Sequence, residues 1–347
     1  MSNGPSGFVL IDKPAGPTSH GVVAALRREL KTRKVGHAGT LDPMATGLLI
    51  AGVGRATRLL TYLVGLDKTY EATIRLGEAT TTDDAEGEFL SAAAAAPASD
   101  AAAADPEGDA AAPASDDATA PDAFRLSDAQ ILSALEAFHG DILQRPTAVS
   151  AIKVDGKRAY DRVRAGEDVE LAARPVTIHE LKLVSGPTPT TGKSGAGVID
   201  LSIRTRVSSG TYIRAIARDL GAALGVGGHL TSLKRSAVGP FALDDASELT
   251  APELLDPLAV MSRVLPVREV SEAEAADLAQ GRFLDPVEPP EPASDSEPAS
   301  DSEPASASAP APTRISEFAL AACAGRLIAV ITTREGKTRP VIVLEAQ

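Results

Sequence analysis

The sequence has few of the residues that form covalent cross-links, metal clusters or aromatic binding surfaces. A single cysteine, Cys323, excludes an internal disulfide and a cysteine-based metal site. The five histidines show no spacing typical of a metal site, so we expect no bound metal. Tryptophan is absent, and there are only four tyrosines and seven phenylalanines. Each aromatic side chain near a cleft is therefore a candidate surface for stacking a base.

Long apolar runs are also missing. No run approaches the length that spans a membrane, so we expect no membrane association. The first residues, MSNGPSGFVLIDKPAG, do not join a basic start to an apolar stretch, and we expect no signal peptide. We predict a soluble cytoplasmic protein whose 347 residues are enough for two domains.

Acidic residues are in excess but unevenly distributed. The formal charge of −13 would by itself argue against a nucleic-acid-binding protein. Residues 91–123 and 285–313, however, each hold seven acids and no lysine or arginine, and without these fourteen carboxylates the formal charge is +1. The remaining bases cluster, as in RRELKTRK at 27–34 and KVDGKRAYDRVR at 153–164, and such clusters can bind phosphates.

Both acidic stretches have the composition of linkers. Residues 91–123 are almost entirely Ala, Pro, Asp and Ser, and residues 285–313 repeat the hexapeptide EPASDS. Neither can bury enough apolar surface to offset the entropy of ordering it. We interpret both as disordered insertions, with an interaction tail as the alternative.

Strand and helix patterns are mixed without a regular βαβ period, which predicts an α+β protein. Predicted strands are GFVLIDK, GLLIAGVG, KTYEATIRLG, RPVTIHELKLV and VIDLSIRTRV. Predicted helices are SHGVVAALRREL with Ser19 as N-cap, RATRLLTYLVG, SDAQILSALEAFHG and SEAEAADLAQG with capping boxes, and GTYIRAIARDLGAALG. Beyond the second acidic stretch, GRLIAVIT and TRPVIVLE indicate a small β-rich unit.

The stretch GHAGTLDPMATG at 36–47 places one carboxylate, Asp42, in a glycine-rich loop. Aspartate before proline is common in turns, which is the simplest explanation. Glycines also let the backbone approach a ligand closely, and a rigid carboxylate beside a strand suits a nucleophile or a general base. His37 in the same loop either stacks on a base or packs. The stretch alone leaves these choices open.

Other candidate site residues also allow two interpretations, one structural and one functional. Tyr70 lies on the apolar face of its strand, so core packing competes with base stacking. Tyr212 and Arg214 open the helix GTYIRAIARDLG. Arg214 is either an ordinary surface arginine or a flanking residue whose planar fork pairs with Asp42 and keeps that carboxylate ionised.

Three further residues are candidates for binding. Lys13 and Lys153 are predicted to be loop lysines beside glycines, either solvated or in contact with phosphate. Leu233 in LKR is by default a core residue.

Five ordered motifs resemble the TruB family of tRNA pseudouridine synthases, between about Gly7 and Asp244. They are IDKPAGPTSH, GHAGTLDPMATGLL, KTYEATIRLG, PTAVSAIKVDGKRAY and VSSGTYIRAIARDLG, followed by LKR. The resemblance implies catalytic roles for Asp42 as nucleophile, Tyr70 and Arg214. It implies substrate contacts for His37, Lys13, Tyr212, Leu233 and Lys153. The acidic insertions depart from the family pattern.

The same resemblance implies a reaction and a partner. The enzyme would isomerise uridine to pseudouridine in the T-loop of tRNA, at position 55, as a monomer without a guide RNA, metal or cofactor. The glycosidic C–N bond would break and the uracil would rejoin through C5, with Asp42 attacking either C1′ or C6. The target base would be flipped out of the RNA fold.

The implied architecture is a catalytic domain at 1–90 and 124–250, with a mixed, mainly antiparallel central sheet and flanking helices. A small C-terminal PUA-like, RNA-binding, β-rich domain would occupy 251–347, interrupted at 285–313. The alternative function is a non-catalytic RNA-binding protein or tRNA-folding chaperone on the same fold. A glycoside hydrolase would usually need a second carboxylate near Asp42, and no motif supplies one.

Overall fold

The computed structural model describes residues 4–90, 123–147, 171–193, 195, 197–284, 317–334 and 336–344, with two short strands at 153–154 and 157–158. The predicted insertions lie outside the described residues except at Ala123. This residue is fully buried in the main core, so the folded chain resumes at Ala123 and not at residue 124.

The strands are β1 (Gly7–Lys13), β2 (Val35–His37), β3 (Thr46–Val53), β4 (Lys68–Leu76), β5 (Gly140–Gln144), β6 (Lys153–Val154), β7 (Lys157–Arg158), β8 (Arg174–Thr191), β9 (Gly197–Val207), β10 (Gly228–Val238), β11 (Phe241–Ala242), β12 (Ser247–Glu248), β13 (Val267–Glu269), β14 (Phe318–Cys323), β15 (Arg326–Arg334) and β16 (Lys337–Val343). The α-helices are α1 (Ser19–Glu29), α2 (Thr61–Val64), α3 (Asp128–Glu136), α4 (Ile213–Ala223), α5 (Pro257–Met261) and α6 (Glu272–Ala279). Short 3₁₀ helices lie at Gly54–Leu59, Ala123–Arg125 and Leu243–Asp245.

A large mixed sheet forms the centre of the molecule. Its strand order is β12-β1-β3-β10-β4-β9-β8-β5, with β2 added to β3 and β11 to β10. Pairing is antiparallel throughout except between β1 and β12 and between β3 and β10. The predicted α+β class with a mainly antiparallel central sheet is confirmed.

One face of this sheet packs against helices because its strands alternate apolar and polar side chains. In β9, Leu201, Ile203, Thr205 and Val207 are buried while Ser202, Arg204 and Arg206 are more open. Helix α4 covers this face with the stripe that includes Ile216 and Leu220. Leu41, the neighbour of Asp42, and Ile213 of α4 belong to the same cluster, so the loop that contains Asp42 and the start of α4 lie on the same side of the sheet.

A four-stranded sheet, ordered β13-β14-β15-β16, forms the C-terminal unit. Its Leu320 and Val330 share one apolar cluster with Phe8 and Leu48 of the central sheet. In addition, the Arg58 guanidinium donates to the Val343 carbonyl at 2.7 Å. The predicted small β-rich unit is present, and it shares a core with the central sheet.

Local signals gave mixed results for the helices. The two capping boxes, Ser127 with Gln130 and Ser271 with Glu274, are confirmed. The N-cap of α1 is Thr18 and not Ser19, since the Thr18 hydroxyl accepts the Gly21 N–H at 2.9 Å. The predicted helix RATRLLTYLVG is divided between the 3₁₀ helix Gly54–Leu59 and α2. No helix in the described part of the chain is long and apolar enough to cross a membrane.

Candidate active site

Asp42 lies in the loop between β2 and β3, and glycine shapes that loop. Gly39 and Gly47 have backbone φ angles of +103° and +98°, a conformation that residues with a side chain rarely adopt. A Cβ on Gly47 would also meet the Arg235 carbonyl oxygen at 2.3 Å. The loop can therefore turn sharply and pair closely with β10.

One arginine joins two carboxylates at this site. The Arg214 Nη2 donates to Asp42 Oδ1 at 3.0 Å, while its Nη1 lies 3.2 Å from Asp84 Oδ2. Nη1 also donates to the Thr82 carbonyl at 2.9 Å. The predicted Asp42–Arg214 pair is thus present in the structure. The guanidinium divides its two terminal nitrogens between two acids, however, whereas we predicted that both would hold Asp42.

Asp84 is the residue that the sequence reasoning missed. Its side chain is only 4% exposed. It accepts the Thr82 hydroxyl at 2.6 Å and the Glu86 N–H at 3.0 Å, which fixes its direction towards Arg214. The expectation that Asp42 lacks a second carboxylate nearby is therefore wrong. The run TTTDDAEGE was the available signal, since Thr and Asp next to glycine commonly form hydrogen-bonded turns.

Burial and nearby charges set the pKa of Asp42. About a third of its side chain is exposed, yet burial raises the pKa of Asp42 above its ordinary value. Arg214 lowers this pKa and the like charge of Asp84 raises it. That Arg214 keeps Asp42 ionised stays a prediction: the Arg214 charge favours the ionised carboxylate, whereas burial, the largest effect, and the charge of Asp84 oppose it.

Two further acids extend the cluster. Burial, and then the charges of Asp84 and Asp42, raise the pKa of Glu86. Asp83 has a φ of +59° and lies 3.3 Å from Arg218, and burial raises the pKa of its carboxyl to about 6. Asp83 therefore makes the local charge of the site depend on pH near 6.

Tyr70 and Leu233 are buried in the main apolar cluster of the central sheet. They are 9% and 6% exposed, and the same cluster contains Leu41, the neighbour of Asp42. The backbone of Tyr212 is held by Gln144, which exchanges two hydrogen bonds with it at 2.8 and 3.0 Å. The roles of these three aromatic or aliphatic side chains stay predictions.

Lys13 is not the loop lysine that we predicted. It ends β1 with its side chain fully buried, and Nζ donates to the carbonyls of Pro14, Pro43 and Ala45 at 2.9, 3.2 and 2.6 Å. Because three carbonyls take its three donors, a phosphate contact is excluded in this geometry. Lys153 pairs with Arg158 through the backbone, and its side chain lies outside the described residues.

His37 is half-buried on β2 with its ring against that of His20. The ring centroids are 5.4 Å apart in an edge-to-face arrangement. Its buried Nδ1 has no hydrogen-bond partner among the described residues. Burial, followed by the charge of His20, lowers the pKa of His37, so the neutral ring is favoured. Among the residues the structure describes, no group of three or more His, Cys, Asp or Glu side chains is placed to hold a metal ion.

Family models match nearly the whole catalytic part of the chain. The model described as TruB family pseudouridylate synthase (N terminal domain) matches residues 27–105 and 104–213, and that of the tRNA pseudouridylate synthase B C-terminal domain matches 214–288. The chain belongs to the TruB family. The resemblance predicted from the five motifs is confirmed, and the chain is an isomerase of RNA modification, a TruB-type tRNA pseudouridine synthase.

Curated relatives agree with this assignment. The chain is 52% identical over 286 residues to tRNA pseudouridine synthase B of Corynebacterium aurimucosum, covering 81% of this chain and 85% of the relative. It is 46% identical over 344 residues to tRNA pseudouridine synthase B of Arthrobacter sp. strain FB24, covering 97% and 96%.

Solved structures support the fold alone. The archaeal box H/ACA sRNP Nop10-Cbf5 complex matches with a TM-score of 0.57 at 19% identity, covering 99% of this chain and 86% of the other. An H/ACA RNP bound to a substrate RNA containing 2′-deoxyuridine matches with a TM-score of 0.56 at 20% identity, covering 98% and 84%.

Proposed function

We propose that this protein converts a uridine in the T-loop of tRNA, at position 55, into pseudouridine without a guide RNA, and that Asp42 is the nucleophile. The observation that carries the proposal is the contact between Asp42 and Arg214 at 3.0 Å, next to the apolar cluster of Tyr70 and Leu233. A carboxylate, a fixed cation and an apolar wall together suit covalent attack on a flipped-out nucleotide.

The geometry gives each group a defined task. The Asp42 carboxylate bonds to C1′ or C6 of the nucleotide, the glycosidic C–N bond breaks, and the rotated uracil rejoins the sugar through C5. The bond to Asp42 then breaks, C5 loses its proton and N1 gains one, so the product is an isomer of the substrate and the enzyme is regenerated. Arg214 holds one Asp42 oxygen, which leaves the other free to turn towards carbon. Asp84 in turn holds the Arg214 guanidinium, so Arg214 keeps its position when the Asp42 carboxylate moves towards the nucleotide.

Tyr70, Leu233, His37 and Tyr212 would contact the flipped base or its loop. The first two belong to the same apolar cluster as Leu41, the neighbour of Asp42, and an apolar wall of this kind suits stacking. The His37 ring is only partly buried, so its exposed part can contact the RNA loop. Lys13 has no such freedom and is left out of the RNA contacts.

Action on tRNA without a guide is supported by the relatives. The two proteins of 46% and 52% identity are both named tRNA pseudouridine synthase B, and they match most of this chain. The H/ACA complexes are far more distant in sequence. We propose a monomer that carries its whole catalytic set in one chain, with the C-terminal sheet as an additional PUA-like RNA contact.

The test uses purified full-length protein and a single unmodified tRNA transcript, with no other RNA. Pseudouridine is mapped by chemical modification and primer extension. We expect one product at the T-loop uridine, and no product from a transcript carrying cytidine there. Asp42→Asn should bind tRNA with an affinity within about threefold of wild type, because phosphate contacts supply most of the affinity, and should form no product.

Each outcome has a clear meaning. Turnover by a verified Asp42→Asn variant would remove the nucleophile assignment. Tight tRNA binding without product in the wild type would favour the alternative, an RNA-binding protein or folding chaperone. Turnover only after a second RNA is added would overturn the guide-independent mechanism.

A further inference from the structure

The backbone of the Asp42 loop is held by side chains from three other elements. Its carbonyl groups accept, one after another, hydrogen bonds from side chains of β1, α1 and β10. The donors are Arg235 to Gly39 and Thr40, Ser19 to Leu41, and Lys13 to Pro43 and Ala45. The loop is thus fastened on both sides of the nucleophile.

Ser19 holds Leu41, the residue directly before Asp42. Its side chain is fully buried in the first turn of α1. The Ser19 hydroxyl accepts the Leu41 N–H at 2.8 Å and donates to the Leu41 carbonyl at 3.0 Å. One hydroxyl therefore satisfies both backbone groups of the residue that precedes the nucleophile, in a place closed to water.

Arg235 of β10 holds the first residues of the Asp42 loop through their carbonyl groups. It is 1% exposed, and its guanidinium donates to the Leu48 carbonyl at 2.7 Å and to that of Gly39 at 3.2 Å, with a longer contact of 3.4 Å to that of Thr40. These three contacts are all to carbonyl oxygens and not to a carboxylate. A planar fork is needed to reach three carbonyls in different directions.

Burying the cations Lys13, Lys68 and Arg235 beside the Asp42 loop costs desolvation free energy. This cost indicates that a fixed position of the loop is important for function. Burial and the charge of Arg235 lower the pKa of the neighbouring Lys68 to about 8, and burial lowers that of Lys13. Apolar side chains could fill the same space without this penalty. They could not, however, satisfy the carbonyls of an irregular loop.

We propose that Ser19 and Arg235 are positioning residues that fix the Asp42 backbone for reaction before RNA binds. The inference rests on the proposed function, because it concerns the approach of Asp42 to the nucleotide. Both residues act through the backbone of residues 39–41 and have no contact with the substrate in this role. Their loss should reduce the rate of the chemical step while leaving RNA affinity nearly unchanged.

The experiment compares Ser19→Ala with Thr332→Val as a matched control. Thr332 is 5% exposed and donates one hydroxyl bond to the Glu317 carbonyl at 2.8 Å, far from the loop in β15. We expect Ser19→Ala to lower the single-turnover rate at saturating tRNA by about 10- to 100-fold, because small misplacements of reacting groups are that costly. The tRNA dissociation constant should change by less than about threefold, as phosphate contacts are intact.

Thr332→Val should keep the wild-type rate even if both variants lose a similar amount of melting temperature. A wild-type rate in Ser19→Ala, or an equal rate loss in both variants, would overturn the proposal. If Ser19→Ala does not fold, Arg235→Lys provides the same comparison, since it keeps the charge but loses the fork; a wild-type rate there would also overturn it. Absence of turnover in the wild type would instead overturn the proposed function.

Discussion

The positive charge of Arg214 lies between the two negative charges of Asp42 and Asp84. One guanidinium contacts Asp42 at 3.0 Å and Asp84 at 3.2 Å, and it is only 6% exposed. The pair of acids would repel each other in this partly dry site without the cation between them. The arginine therefore has two functions, to set the direction of the Asp42 carboxylate and to keep two carboxylates close together.

Replacing Arg214 by lysine tests this arrangement. An ammonium keeps the charge but cannot span two carboxylates in the plane of a fork. We expect Arg214→Lys to lower the single-turnover rate by about 10- to 100-fold, because a desolvated charge pair is strongly weakened and each 1.4 kcal/mol is about tenfold in rate. Affinity for tRNA should change little.

Arg204→Lys is the matched control, because Arg204 contacts Glu180 on the surface with half of its side chain exposed. It should keep the wild-type rate. Weaker tRNA binding and a shallower salt dependence in Arg214→Lys, with an unchanged rate, would show that Arg214 is a phosphate contact instead.

The raised pKa of Asp42 predicts a pH dependence. The ionised carboxylate is the reactive form, so the rate should fall as the pH drops through a pKa that is higher than that of an ordinary aspartate. Asp84→Asn removes a like charge and should move this acid limb to lower pH. Single-turnover rates from mildly acidic to neutral pH measure the limb.

Asp67→Asn is the control for a charge change on the surface, where Asp67 contacts Arg206 at 3.0 Å. Its acid limb should coincide with that of the wild type. An acid limb that stays in place or moves to higher pH in Asp84→Asn would contradict the coupling between the two carboxylates.

Sequence reasoning identified Asp42 and Arg214 as partners, because a motif supplied each residue and helical spacing placed Arg214 beside the buried stripe of α4. It missed Asp84, because that acid lies in an irregular turn with no periodicity to mark its direction. It also misplaced Lys13. The predicted strand GFVLIDK ends at Lys13, as β1 does, but nothing in its pattern showed that the last side chain turns inward, where the ammonium is buried.

The pairing of β3 with β10 positions the nucleophile loop from its C-terminal end. Thr46 and Gly47 pair in parallel with Lys234 and Arg235. An added Cβ at Gly47 would contact the Arg235 carbonyl oxygen at 2.3 Å and the Arg235 nitrogen at 2.9 Å, with no flexible atom able to move away.

We therefore expect Gly47→Ala to lower the melting temperature by several degrees and to reduce the rate together with it. Gly65→Ala is the matched control, since Gly65 has a φ of −74° and an added Cβ there would meet nothing within 4 Å. It should leave both quantities unchanged. Equal melting temperatures for the two variants would contradict the steric argument.

Elements with strong local signals were predictable and others were not. The capped helices α3 and α6 carry their boundaries in the sequence. Strand β10 was not predicted, because register shifts after Leu230 and after Arg235 break its alternation of apolar and polar residues. Those two irregularities occur in the pairing of β10 with β4. Because β4 lies far away in the chain, the local sequence pattern of β10 cannot predict them.

At the scale of the whole molecule, the two sheets form one folding unit. Phe8 and Leu48 of the central sheet share a cluster with Leu320 and Val330 of the C-terminal sheet. Composition predicted the small sheet but not this shared core, because the contact joins residues from opposite ends of the chain. We therefore expect loss of the C-terminal sheet to expose apolar surface on the catalytic part.

The second acidic stretch, in contrast, should be dispensable. Leu284 pairs with Thr338 of β16, and the chain re-enters at Glu317 next to β14, about three strand spacings or about 14 Å across the sheet. After deletion of 286–312, the five remaining residues between them reach about 20 Å.

Deleting 286–312 should therefore leave the melting temperature within about 2 °C and the rate within about twofold of wild type, because apart from alanine and proline its only apolar residue is Val287. Thermal unfolding and single-turnover assays measure both. A large loss of either would show that the acidic repeat contributes to the fold or to RNA binding.

The position of the first acidic stretch also makes the enzyme divisible. Asp42 and β4 precede it, whereas Arg214 and the strands β9 and β10 on either side of β4 follow it. Fragments 1–90 and 123–347 should each be inactive. Mixing them should restore turnover, because β4 of the first fragment can pair with both β9 and β10 of the second. Pseudouridine formation would then report the reassembly of two chains, and the natural insertion would be the site at which to separate them.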